Sequence, residues 1–218
     1  MPTLSEVIAR LSFLTTSPAV AGLVVTASLI IVLRDWRVSL AALLAQYILV
    51  GFLLTRLIAP EVATVKTLVG ALICLILYLT ARRVRWGRQS KDEVPTSSIL
   101  QEVFPVSLPF RLLAVILMGL VTSSLLNNYP LPELPKDIGF ACYWLALMGL
   151  LAMILTTEPL KAGLGLLTFM AGFELFYVAL EKSLSVVGFL GIVNLFMALA
   201  IAYLASAKEV DWTGEQGL

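Results

Sequence analysis

KAGLGLLTFMAGFELFYVAL, EKS and LSVVGFLGIVNLFMALAIAYLA follow one another from residue 161 to residue 205. Two apolar runs, 162–180 and 184–205, are divided by three residues, two of them charged. At the rise of an α-helix the first run reaches about 28 Å, close to the roughly 30 Å of a bilayer's hydrocarbon core. A run this long and this poor in charge reads as a membrane span, and two of them with a short polar break read as neighbouring antiparallel spans. One acid, Glu174, interrupts the first run well inside its end.

The same pattern continues toward the amino terminus. Apolar runs occur at 18–33, 38–58, 61–81, 108–126 and 138–156, which with the last two makes seven. RDWR at 34–37, AlaProGlu at 59–61 and GluProLeuLys at 158–161 supply the breaks. The turn at 59–61 is tight enough that a re-entrant pair is an alternative to two full spans. Composition agrees with a lipid-embedded chain: 60% of the 218 residues are hydrophobic and 13% charged, where soluble domains carry about 25% charge. Mean hydropathy is +0.97. The fold class expected is therefore all-α, a polytopic membrane helical bundle with about seven transmembrane helices.

Two longer breaks divide the chain. Residues 82–107 are the most polar stretch, with Arg82, Arg83, Arg85, Arg88 and Lys91 crowded at its start. Residues 127–137, NNYPLPELPKD, contain three prolines and read as a rigid loop. The organisation expected is an interfacial segment at 1–17, a three-helix unit at 18–81, a polar cytoplasmic linker at 82–107, a four-helix unit at 108–205 and a cytoplasmic tail at 206–218. Leu4, Val7, Ile8 and Leu11 recur at helical spacing in the first segment, which suits a short helix on the membrane surface or an extension of the first span. The start of the chain lacks the basic region of an export signal. The two helical units show no convincing internal repeat.

Basic residues set the orientation. With the amino terminus outside and the carboxyl terminus cytoplasmic, ten fall inside and four outside, Lys66 being counted on neither side. The basic run at 82–91 then reads as a stop-transfer signal touching anionic lipid, and not as a nucleic-acid surface.

Several chemistries are disfavoured. The chain contains no histidine, which argues against a haem b site, an imidazole proton relay and most zinc sites. Cys74 and Cys142 stand alone inside apolar runs and read as buried thiols. Nucleotide loops, HExxH and serine-nucleophile patterns are absent. No cofactor and no metal are expected, and no catalysis by the chain alone.

The chemistry that remains lies in polar residues placed in lipid. Glu174 is about seven residues from the end of its span, so it lies roughly 10 Å below the surface. An acid there takes up a proton or finds a cation or water, as a proton route requires, or else stays neutral in an interhelical hydrogen bond. Lys66 lies about one turn inside the third span, where it can snorkel to the surface or pair with Glu174. Asn194, near the middle of the seventh span, is packing glue or part of a water chain, and Gln46 and Tyr47 are similarly ambiguous. Tyr177 follows Glu174 by three residues and is expected on the same inward face as Gly163. Gly163, Gly165, Gly188 and Gly191 are expected to let the last two helices approach closely.

These residues also carry a resemblance. The chain resembles hydrogenase-4 component E, whose later part is similar to subunit K of NADH-quinone oxidoreductases and to the small third subunit of multisubunit sodium/proton antiporters. LRDWRVSLAALLAQ looks like that family's first turn and second helix. APEVATVKTLVGALICLILYLTARR resembles its third helix, whose lysine corresponds to Lys66, and KAGLGLLTFMAGFELFYVAL resembles the helix bearing its membrane glutamate, here Glu174. Length, helix count and the 3 + 4 division agree in outline. The family often has an acid in the last helix, where Asn194 stands here.

The resemblance implies a non-catalytic subunit beside a large antiporter-like membrane subunit, with other subunits of a multisubunit complex, in a bacterial or archaeal plasma membrane. Glu174, Lys66, Asn194 and Tyr177 would form a proton or cation relay, in contact with membrane lipid and no nucleic acid. A structural scaffold in another membrane complex and an independent small transporter are the alternatives.

Overall fold

A computed structural model describes residues 18–33, 35–84, 108–131, 134–156, 158–181 and 183–215. The expectations for 1–17 and for most of the 82–107 linker lie outside these residues. The protein is a polytopic helical membrane bundle, and its described residues contain seven α-helices and no strand. They are α1 (Pro18–Val32), α2 (Trp36–Leu54), α3 (Pro60–Arg83), α4 (Leu108–Asn128), α5 (Lys136–Ile154), α6 (Pro159–Leu180) and α7 (Leu184–Glu215). All but α1 are long and apolar enough to cross a membrane. The 15 residues of α1 rise only about 22 Å.

The helix starts follow their breaks. Pro60 and Pro159 each stand in the first turn of a helix, where the missing N–H has no partner to lose and the fixed φ suits the helix. Asp35 precedes α2 in an extended conformation, and the Ser39 hydroxyl donates to its carbonyl at 3.1 Å. Because α2 and α3 are full-length on either side of the turn at 55–59, this pair is a transmembrane hairpin and not a re-entrant one. Helix α4 runs on to Asn128, so the proline-rich break is shorter than its polar composition suggests. At that break Tyr143 donates to the Tyr129 carbonyl at 3.0 Å, holding the chain end of α4 against α5. Helix α7 continues past the apolar span to Glu215.

The first three helices and the last four pack together in one bundle. Helix α1 lies between α2 and α5, α2 touches both α3 and α6, and α3 packs along α7. Helix α6 has α5 on one side and α7 on the other, and α4 stands outside the ring against α5 and α1. Position explains composition. Leu113, Ile116, Leu117 and Leu120 of α4 are all exposed, and Thr122 is the helix's one buried residue, as expected of a span that faces lipid on most of its circumference. Arg111 of α4 donates to the Ile31 carbonyl at 2.8 Å, satisfying an acceptor at the end of α1.

The closest packing is between α5 and α6, and glycine permits it. A Cβ at Gly149 would meet the backbone of Gly165 and Phe169, and one at Gly172 would meet the Cys142 carbonyl at 2.9 Å. Gly165 itself faces Gly149 and Ala152, so it serves α5 and not α7. Of the four glycines expected between the last two helices, Gly163 alone fills that role, against Ile201. Gly188 and Gly191 have open space where a side chain would stand.

Candidate functional site

Four helices bring polar residues into the same half of the bundle. Lys66 is six residues into α3, and Glu174 is six residues from the end of α6. Both therefore lie about 9 Å from the same end of the bundle. Tyr47 is seven residues from the end of α2, at about 10 Å, and Asn194 is ten residues into α7, at about 15 Å. The polar groups form a cluster across the bundle, off its middle, and not a column along it.

The neighbouring packing fixes their positions. Helix α6 is held against α5 through the glycine contacts, which turns Glu174 toward α2, α3 and α7. Gly70, one turn beyond Lys66, lies under the Tyr47 ring, where an added Cβ would meet ring carbon at 2.6 Å. Helices α2 and α3 are correspondingly close at Gly51, which faces the side chain of Thr67. The Thr67 hydroxyl donates to the Ala63 carbonyl at 3.0 Å and so satisfies its own hydrogen within α3.

Lys66 Nζ lies 2.5 Å from Glu174 Oε1, and their side chains are 8% and 4% exposed. Asn194 Nδ2 donates to the same oxygen at 2.8 Å. A carboxylate oxygen only accepts, so the amide must turn its nitrogen toward Glu174 and its Oδ1 away. That Oδ1 has no hydrogen-bond partner, nor has the Tyr47 hydroxyl. Lys66 Nζ carries three hydrogens and has no acceptor beside it other than Glu174 Oε1. Tyr47, Lys66, Glu174 and Asn194 share a cavity of about 10 Å³, lined also by Gly51, Thr67, Gly70 and Gly191.

The charges are opposite, adjacent and screened from solvent, which makes their attraction strong and makes the loss of either partner costly. Glu174 and Lys66 are the only ion pair between buried side chains among the described residues; Arg56 with Asp137 and Lys161 with Glu158 lie at the ends of helices. No cluster of metal-ligating side chains occurs among the described residues. The arrangement can hold a proton on either member of the pair, and Asn194 can bond the carboxyl in either state by turning its amide.

Of the four residues expected to act together, the structure brings three into contact. Tyr177 stands apart: it is 37% exposed and its ring lies 5.8 Å from that of Phe173, on the outward side of α6. Three residues along a helix is about 300°, and here that step carries Tyr177 out of the interior. Tyr47, ambiguous in the sequence, instead lines the cavity beside the pair, with its hydroxyl unpartnered. Gln46 is fully buried with neither amide atom partnered.

Lys66 and Gly191 also border a second space, an apolar crevice of about 350 Å³ between α3 and α7. Its walls include Val65, Val69, Gly188 and Ile192. This accounts for the unopposed glycines of α7: they line an opening.

No protein family, curated protein or solved structure matches this chain.

Proposed function

We propose that the protein is a non-catalytic subunit of an ion-translocating membrane assembly, in which Glu174 exchanges a proton or cation and Lys66 tunes that exchange. The observation that carries this is the Lys66–Glu174 pair, an acid and a base held together inside a membrane bundle with Asn194 on the same oxygen. Ionisable residues inside membrane spans are costly to keep and commonly mark ion or proton pathways. The cluster lies toward one end of the bundle and no second buried ion pair extends it among the described residues, so a route across the membrane would need further groups, which neighbouring chains would supply. That need favours a subunit over a self-sufficient transporter.

The finer assignment is to a complex I-like, hydrogenase-like or cation/proton antiporter-like complex of a bacterial or archaeal plasma membrane. It rests on the similarity of Lys66 and Glu174, with their flanking sequences, to the lysine and glutamate helices of hydrogenase-4 component E and of subunit K. Partners would include a large antiporter-like subunit. The excess of basic residues on one side would put the amino terminus outside and the carboxyl terminus in the cytoplasm. The test is mild extraction of the native assembly and identification of the chains that accompany this one. Large subunits with antiporter-like helices are expected; a photosynthetic or secretion assembly would overturn the assignment.

One observation favours a second reading. Both charged side chains are almost wholly enclosed, so the pair would equally serve as a clasp between α3 and α6 in a scaffold subunit. A clasp needs the two residues to fit but not to titrate, and replacement by a well-packed apolar pair would then preserve activity.

A further inference from the structure

The small cavity beside the ion pair has more unpartnered polar atoms around it than protein alone satisfies. Tyr47 and Asn194 are both more than nine-tenths buried, and Tyr47 Oη and Asn194 Oδ1 have no hydrogen-bond partner. Lys66 Nζ, on the same cavity, has three N–H groups and only Glu174 Oε1 beside it, which leaves hydrogens unpartnered. Buried polar groups left in this state are costly, more so where hydrocarbon surrounds the bundle. The space, about 10 Å³, is the size that one water molecule needs.

We propose that this cavity binds a single water, and that Tyr47 is a positioning residue of the Glu174 site acting through it. The available donors and acceptors fix how the water sits. Lys66 Nζ offers only hydrogens and Asn194 Oδ1 only lone pairs, while the Tyr47 hydroxyl can donate. The water accepts from Lys66 and Tyr47 and donates to Asn194 Oδ1 and the Glu174 carboxylate, four bonds within the range usual for an internal water. It links α2, α3, α6 and α7 at one point. A cation is a poorer occupant, because the Lys66 ammonium already occupies the place beside the carboxylate. The water is an equilibrium property of the folded chain; only its use in moving protons rests on the function proposed above.

The test is solid-state NMR on the full chain in lipid bilayers with ¹⁵N-lysine. The chain has six lysines, and the Lys66 signal is the one lost in Lys66→Met. Magnetisation from water protons is expected to reach Lys66 Nζ, and to fall at least threefold in Tyr47→Phe while the Lys66 chemical shift stays within the charged range. No transfer to Lys66 in the unsubstituted chain would overturn the site. Unchanged transfer in Tyr47→Phe would overturn the part assigned to Tyr47. Should that variant not fold, density for a water between Asn194 Oδ1 and Tyr47 Oη in a high-resolution structure of the unsubstituted chain decides, its absence counting against the proposal. Since no transport is measured, a relay that fails with the water present, or works without it, separates the two proposals.

Discussion

Lys66 of α3 and Glu174 of α6 meet at 2.5 Å although their helices share little other contact, because each is carried to the meeting point by a different neighbour. Helix α2 holds α3 at the Tyr47–Gly70 contact, and α5 holds α6 through Gly149 and Gly172. The pair is thus supported from both sides and does not itself have to assemble the bundle.

Removing one charge should hurt more than removing both. Lys66→Met alone leaves Glu174 with Asn194 as its remaining neighbour, and loss of one member of a buried pair typically costs about 3–5 kcal/mol. The double replacement Lys66→Met with Glu174→Leu is expected to recover most of that. Unfolding of the three variants in a double-mutant cycle measures it, and simple additivity would argue against a closed pair.

Asn194→Leu should weaken the bundle modestly. A hydrogen bond between membrane helices is worth about 0.6 kcal/mol on average and about 1.7 at most. Its loss also leaves Glu174 Oε1 with Lys66 alone, so the change belongs at the upper end of that range. Unfolding by the same assay is the measurement.

Two glycines should respond in opposite directions. Gly149→Ala places a methyl on the Gly165 and Phe169 backbone and is expected to loosen α5 from α6, lowering thermal stability. Gly188→Ala enters open space and gains helix propensity, about 1 kcal/mol in an exposed helix interior. Equal effects at both sites would contradict the packing described.

Tyr177→Phe should change neither stability, beyond about 0.5 kcal/mol, nor ion movement in the assembled complex, since the ring faces outward against Phe173. A loss of ion movement would return Tyr177 to the site.

Much of this was legible in the residues. Seven runs of apolar sequence are seven helices, because the prolines at 60 and 159 and the charged breaks act locally through backbone chemistry. The depths of Lys66 and Glu174 also followed from counting along the helix. Helix rotation did not. In a span apolar on every side, no hydrophobic stripe shows which face turns inward, so Tyr177 looked as well placed as Asn194 and Gly188 as useful as Gly172. The glycine contacts that set rotation are between residues distant in sequence, and the position of Tyr47 over Gly70 depends on them. An amphipathic helix in water would have shown its inward face; a lipid-facing one does not.

The charge-free double variant, Lys66→Met with Glu174→Leu, measured for coupled ion movement in membranes that contain the assembled complex, bears most directly on whether the pair titrates. Assembly at the normal level with ion movement abolished is the result a relay requires. Assembly with ion movement unchanged would contradict it and leave Lys66 and Glu174 as a clasp between helices.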